Sequence, residues 1–220
     1  MKDKTKVIAI DGAAATGKST LAKILATDLG YVYMDTGLMF RSLTYEALQR
    51  NIIHEGGMDH EALLHFLSDS RFDWKNDQLA LNEQLYGDEI RTLKVSEEVS
   101  NVAAQEVIRK FTLENQRRLA ADKNIVMDGR DIGSVVFPDA NHKFFLQATP
   151  EVRAERRWQE LQQKGEQVTL NSVLENVRLR DKKDSERKHA PLKQAADAIL
   201  IDTTQKSITD VLDLMKSYID

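Results

Sequence analysis

Residues 12–19 read Gly-Ala-Ala-Ala-Thr-Gly-Lys-Ser, a complete G-x-x-x-x-G-K-[ST] run. Its surroundings fit as well as its letters. The apolar stretch Val7-Ile8-Ala9-Ile10 before it reads as a buried strand, and Thr20-Leu21-Ala22-Lys23-Ile24-Leu25-Ala26 after it has helical spacing. Strand, glycine-bounded loop and helix is the arrangement in which loop amides and a positive helix end point at a phosphate. Gly12 and Gly17 let the backbone turn tightly, with Ala13, Ala14, Ala15 and Thr16 between them and Thr20 just beyond. Lys18 supplies a mobile cation for the outer phosphates and Ser19 a hydroxyl for Mg2+. A chance Gly-Lys-Ser would not fall in register behind a strand, so the chain is expected to bind a nucleoside triphosphate. The run alone leaves open whether the phosphate is transferred, hydrolysed or sensed.

Composition narrows the class. With 220 residues the chain can hold one large domain or a core with modest insertions. A net charge of −4 gives no global basic field for nucleic acid. The absence of cysteine excludes disulfides, thiolate metal sites and cysteine catalysis, and fits a reducing compartment. The charged start Met1-Lys2-Asp3-Lys4-Thr5-Lys6 carries no secretory apolar region, and no stretch is long enough to span a bilayer, so a cytoplasmic protein is expected. The five histidines, His54, His60, His65, His142 and His189, show no metal spacing. Trp74 and Trp158 read as packing residues, and no feature demands a second subunit, so a monomer is expected.

Strands and helices alternate, which predicts an α/β fold with a parallel sheet. The five expected strands are 7–11, 31–34, 125–128, 143–146 and 198–202, with helices over 20–29, 37–49 and 208–219. Between Arg71 and Val95 the short runs Phe72-Asp-Trp-Lys, Leu79-Ala-Leu-Asn and Gln84-Leu-Tyr are split by Asn76-Asp77 and Asn82-Glu83. They predict a small inserted antiparallel β-meander. Residues 99–121 then predict one long helix.

The segment from Pro150 to Leu192 is strongly charged, with six basic and three acidic side chains between Arg178 and Lys188. A solvated helix face is the ordinary reading. Yet Arg180, Asp184 and Arg187 share one helix face by spacing, and Arg153 and Arg157 repeat the pattern upstream. Guanidiniums aimed together suit phosphate oxygens, which predicts a mobile helical lid. Three segments suit an anionic acceptor. The first, Met34 to Arg41, brings a strand end, a helix start and an arginine together, with an ordinary capped helix competing at Thr36. The second, Asp128-Gly-Arg-Asp-Ile-Gly-Ser134, lies where such folds place Mg2+-linked or substrate-reading groups. The third, Ser100 to Arg109, would mean little alone.

These segments together resemble the bacterial cytidylate kinases, members of the nucleoside monophosphate kinases. The resemblance covers essentially the whole chain. It rests on residues 11–20, Met34-Asp-Thr-Gly-Leu-Met-Phe-Arg41, Val99-Ser-Asn-Val-Ala-Ala104, the run from Asp128 to Ala140, Arg180-Asp-Lys-Lys-Asp-Ser-Glu-Arg187 and Ala190-Pro-Leu192. It implies a P-loop NTPase core with a central five-stranded parallel sheet flanked by helices. The core would occupy about 1–65, 98–150 and 193–220, a CMP-binding insert about 66–97, and a lid about 151–192. It further implies transfer of the γ-phosphoryl of ATP to CMP or dCMP with Mg2+, in pyrimidine nucleotide metabolism. By matching position, Thr36, Phe40, Arg41, Ser100, Arg109, Arg130, Asp131, Arg180, Asp184 and Arg187 would bind CMP. Asp131 would accept from the cytosine amino group and so reject uracil. Arg157 would join the loop on the ATP side, and Lys18, Arg130, Arg180 and Asp184 would be the catalytic set. The chain departs from the family pattern at Phe40, where tyrosine is usual, at Lys183, where arginine is common, and at Ser134, where threonine is usual.

Other readings fit less well. A GTP-dependent switch lacks its guanine-reading Asn-Lys-x-Asp and leaves an arginine-rich lid unexplained. A kinase for UMP, dTMP or a hydroxyl compound does not explain Gly-Arg-Asp. A nucleic-acid binder lacks aromatics interleaved with its basic segment.

Overall fold

The computed structural model describes residues 5–55 and 57–219. In chain order the elements are β1 (Val7–Gly12), α1 (Lys18–Leu29), β2 (Val32–Asp35), α2 (Thr36–Gln49), β3 (Ile53–His54), β4 (Gly57–Met58), α3 (His60–Ser68), β5 (Phe72–Lys75) and β6 (Gln78–Leu81). A 3-10 turn, Asp88–Arg91, leads into α4 (Leu93–Ala103) and α5 (Glu106–Ala120). Then come β7 (Ile125–Gly129), a π-type turn (Ile132–Val136), β8 (His142–Gln147), α6 (Pro150–Gln163), α7 (Leu170–Glu186), β9 (Ile199–Asp202) and α8 (Ile208–Lys216). The chain divides into two compact units, one of residues up to Tyr33 and from Asn124 onward, the other Met34–Lys123.

The first unit is built on a five-stranded sheet of order β2-β7-β1-β8-β9. The pairs β1·β7, β1·β8 and β8·β9 are parallel, with Ile10 opposite both Asp128 and Phe144. Every residue of β1 and β7 is buried, as expected of central strands covered on both faces. Leu21, Ala22 and Leu25 of α1 and Val211, Leu212 and Met215 of α8 pack with Ile8, Ile10, Phe144 and Ile201 of the sheet. Gly12 has φ 153°, and a Cβ there would lie 2.3 Å from the Leu146 carbonyl oxygen of β8. Glycine at the mouth of the phosphate loop is therefore demanded by the adjacent strand as well as by any ligand. Helix α1 ends at Gly30, left-handed at φ 65°, as its position in the sequence predicts.

Helices α6 and α7 carry a small core of their own, Ala154, Val173 and Val177 under Trp158, Leu161, Val168 and Leu174. Trp158 donates its indole N–H to the Val168 carbonyl at 3.0 Å, in the packing role expected of it. Thr149 and Thr169 cap the two helices by accepting from Val152 and Ser172 amides.

The second unit corrects two expectations. The inserted β segment is a hairpin, not a meander. Phe72–Lys75 pairs antiparallel with Gln78–Leu81 across Asn76 and Asp77, both at positive φ, the turn that suits strand twist. Asn82 and Glu83 also turn at positive φ, but the third run makes only an isolated bridge, Leu81 to Gln84. Tyr86 then leaves the strand direction, its hydroxyl donating to Glu46 of α2 at 2.9 Å. The expected long helix is two, broken at Ala104 and Gln105. Gln105 is extended (φ −72°, ψ 124°), and neither residue is the Gly or Pro that would mark a break. The Arg109 guanidinium donates to the Ala103 carbonyl left open at the end of α4. Trp74 donates to the Leu119 carbonyl at 3.1 Å, again as a packing residue.

Candidate active site

The phosphate loop leaves the end of β1 and runs into α1, whose N-terminal residue is Lys18. Its shape is held from within and from β9. The Thr16 hydroxyl donates to the Ala13 carbonyl at 3.0 Å, and Thr203, just past β9, donates to the Thr16 carbonyl at 3.1 Å. The Lys18 ammonium also donates to the Ala13 carbonyl, at 3.0 Å, which folds the cation back over its own loop. Ser19 donates to Asp128 Oδ2 at 2.8 Å, while Tyr33 donates to Asp128 Oδ1 at 2.7 Å. Asp128 is the penultimate residue of the buried strand β7, and both its oxygens are held by partners more than ninety residues away in the chain.

Beyond β7 lies a cluster of paired charges. Arg130 Nε donates to Asp184 Oδ2 at 3.0 Å. Arg187 donates to Asp131 Oδ1 at 3.3 Å and to the Ala190 carbonyl at 2.7 Å. Asp131 and Asp184 are only 4% and 6% exposed. Burial alone would raise the Asp184 pKa, but the guanidiniums of Arg130, Arg180 and Arg187 outweigh it and hold the carboxyl below the ordinary range. Arg180 differs from its neighbours. Its Nε is shielded from solvent, with no hydrogen-bond partner among the described residues. Burial first, then the adjacent Arg130 charge, brings its pKa down to about 10. It remains a cation at neutral pH, and a cation so placed is disposed to take an anion.

Two expectations for the lid are corrected here. Arg153 is not aimed at phosphates: it is 3% exposed and forms a two-pronged pair with Asp181 at 3.0 and 2.5 Å. It also donates to the carbonyls of Ala148 and of Ala14 in the phosphate loop. Arg187 does not share the α7 face, because the helix ends at Glu186 and Arg187 is extended at φ −62°, ψ 142°. Arg157, half-buried on α6, donates to Glu160 at 2.8 Å, and its charge also acts on Arg180.

In the second unit, Asp35 rather than Thr36 caps α2, accepting from the Leu38 amide at 3.0 Å. Thr36 is the first helical residue and is 3% exposed. Arg41 donates to the Ser96 hydroxyl at 3.1 Å, and the Arg109 guanidinium lies 5.2 Å over the Phe40 ring. Ser100, on α4, is 5% exposed. The loss of the tyrosine hydroxyl at Phe40 thus leaves an aromatic face that a guanidinium covers. Thr36, Phe40, Arg41, Ser100 and Arg109 belong to one compact unit; Gly12 to Thr20, Arg130, Asp131, Arg157, Arg180, Asp184 and Arg187 belong to the other.

Tyr33, Arg153 and Thr203 take these roles through tertiary contacts alone, and no local motif surrounds Tyr33 or Thr203. Asp11 lay inside a motif without a role of its own. The spacing of Arg153 was visible but pointed to the wrong partner.

A phosphate loop at the end of a central parallel strand, with a carboxylate behind its serine and arginines beyond the next strand, defines a P-loop kinase. A family model described as cytidylate kinase matches residues 8–220. A cytidylate kinase of Clostridioides difficile is 44% identical over 214 residues, covering 97% of this chain and 98% of that one. One of Listeria innocua is 48% identical over 205 residues, covering 93% and 91%. Among solved structures, a shikimate kinase from Bacteroides thetaiotaomicron aligns over 97% of this chain and 98% of its own at 13% identity, with TM-score 0.51. An uncharacterized protein from Eubacterium ventriosum aligns over 98% and 99% at 14% identity, with TM-score 0.54. At these identities the two structures speak for the fold alone. The chain belongs to the cytidylate kinase family, enzymes that phosphorylate CMP with ATP.

Proposed function

We propose that this kinase transfers the γ-phosphoryl of ATP to CMP and dCMP, with Mg2+ as the divalent ion and through the residues described above. The observation that carries the assignment of roles is the buried Arg130–Asp184–Arg187–Asp131 cluster, with the Nε of Arg180, unpartnered among the described residues, beside it. The phosphate loop amides and Lys18 hold the β- and γ-phosphates, Lys18 leaving the Ala13 carbonyl to do so. Ser19, with Asp128 behind it, offers the hard oxygen donors that suit Mg2+. Ser19 and Asp128 would be the protein's side of such a site, with the triphosphate and water supplying further oxygens. When bound, the ion supplies charge neutralisation across the phosphates.

Arg130 and Arg180 gather negative charge around the transferred group, and Arg157 adds a cation on the ATP side. Asp184 orients Arg130 and accepts from the ribose hydroxyls. Asp131 accepts from the cytosine amino group, and uracil, which lacks that donor, leaves the carboxylate unpaired. Thr36, Phe40, Arg41, Ser100, Arg109 and Arg187 complete the CMP contacts, Arg41 on the acceptor phosphate. The attacking atom is a phosphate oxygen, already nucleophilic at neutral pH, so no general base is assigned. Closure of α6 and α7 excludes water and suppresses hydrolysis. The enzyme is read as a monomer in the cytoplasm.

The test is ADP release from ATP and Mg2+ with CMP, dCMP, UMP, AMP, dTMP or no acceptor. Turnover dependent on CMP and dCMP is expected. Preference for another acceptor would keep the kinase and overturn the base-reading role of Asp131.

A further inference from the structure

We propose that Asp11 is a positioning residue for base recognition, its carboxylate holding in place the turn that presents Asp131. The inference rests on Asp131 reading the base. Asp11 precedes the phosphate loop by one residue, yet its side chain is engaged elsewhere. It is 4% exposed; Oδ1 accepts from the Ile132 amide at 2.8 Å and Oδ2 from the Gly133 amide at 2.7 Å. Both donors follow directly after Asp131, so two successive peptide planes are pinned and the Asp131 backbone cannot rotate without breaking one bond. Two adjacent N–H donors need two acceptors, which a carboxylate has and a carboxamide lacks.

The other side of the turn is closed as well. The Val135 and Val136 amides donate to the Asp131 carbonyl at 2.9 and 3.1 Å. A Cβ on Gly133 would lie 3.2 Å from Lys143 Cδ and 3.4 Å from Asp11 Oδ2. Lys143 is itself fixed by Asp197 at 2.6 Å. In the sheet, Asp11 stands opposite Gly129, so the carboxylate keeps register with the strand from which the turn springs. Burial, with the Asp131 charge adding, pushes the Asp11 pKa up to about 7 against the two amide bonds and Arg130. At pH 8 the carboxylate form prevails.

The test compares wild type with Asp11→Asn, Gly133→Ala and Asp131→Ala at pH 8, measuring kcat and KM for CMP, UMP and ATP. Asp11→Asn is expected to raise the CMP KM about tenfold or more and to lower the CMP-over-UMP preference comparably, with the ATP KM within about twofold. A merely structural role would reduce active enzyme or kcat without changing the ratio between acceptors. Gly133→Ala crowds the same joint, its Cβ meeting the Lys143 side chain and the Asp11 carboxylate, with no change of charge. It is expected to shift the ratio the same way, and it carries the test if Asp11→Asn does not fold. An unchanged CMP-to-UMP ratio in folded Asp11→Asn, or in Gly133→Ala where that variant must stand in, overturns the proposal. Loss of the ratio in Asp131→Ala alone would overturn only the role of Asp11. Retention of the ratio in Asp131→Ala would overturn the base reading and the role of Asp11 with it.

Discussion

The Lys18 ammonium donates to the Ala13 carbonyl of its own loop, and in the proposed mechanism it leaves that carbonyl for the phosphates. Removing it takes away one of the cations that the proposal places around the transferred group. Lys18→Ala is expected to lower kcat by about a hundredfold or more while the CMP KM moves little, measured as CMP-dependent ADP release. Near-normal turnover would remove Lys18 from the catalytic set. The same logic separates Arg180 from Arg153. Both are arginines at helical spacings that suit phosphates, but Arg153 has already spent its fork on Asp181. Only the contacts distinguish a poised guanidinium from a structural one.

At the scale of elements, Arg153 joins α6, α7 and the phosphate loop through Asp181 and the Ala14 carbonyl. Arg153→Met keeps the stem's packing and leaves Asp181 without its partner. Since Asp181 is partly exposed, a loss of about 1–3 kcal/mol is expected in urea unfolding, less than for a wholly buried pair. No loss would mean that the lid helices are held by their small apolar core alone. The break between α4 and α5 gives a second test. Gln105 is already in the extended region that a following proline requires, and Glu106 is the first residue of α5. Glu106→Pro is therefore expected to leave the melting temperature within a few degrees of wild type. In one continuous helix the same change would cost about 3 kcal/mol. The break was not legible in the sequence because it carries neither Gly nor Pro; apolar periodicity runs through it unbroken. The turn of the hairpin was legible, because Asn76-Asp77 is itself the local cause of the reversal.

Across the whole molecule, two buried carboxylates act oppositely on stability. The Asp11 pKa stands near 7 in the fold, above its ordinary 3.8, so the folded state binds a proton the unfolded state has released. Its contribution is fully present below about pH 4 and is lost as pH rises through about 7; the displacement corresponds to up to about 4 kcal/mol. Asp184 lies below its ordinary value, so its contribution is present above about pH 4 and is lost as pH falls further. Wild type is therefore expected to lose stability relative to Asp11→Asn between about pH 5 and pH 8, read from denaturation midpoints at both. A constant difference across that range would show that Asp11 titrates normally.

By itself the sequence determined the strand, glycine-bounded loop and helix at the start of the chain and the alternation that builds a parallel sheet. Each of these has a local cause: a glycine at a turn, apolar residues at a period, a lysine and a hydroxyl at fixed offsets. Tertiary structure decided which charges meet. Asp11 with the Ile132 and Gly133 amides, Ser19 and Tyr33 with Asp128, and Arg130 with Asp184 are contacts across 54 to 122 residues of chain. No local spacing encodes them. They arise because parallel strands bring distant loops to the same end of one sheet, where burial makes each unpaired charge costly and each pairing specific.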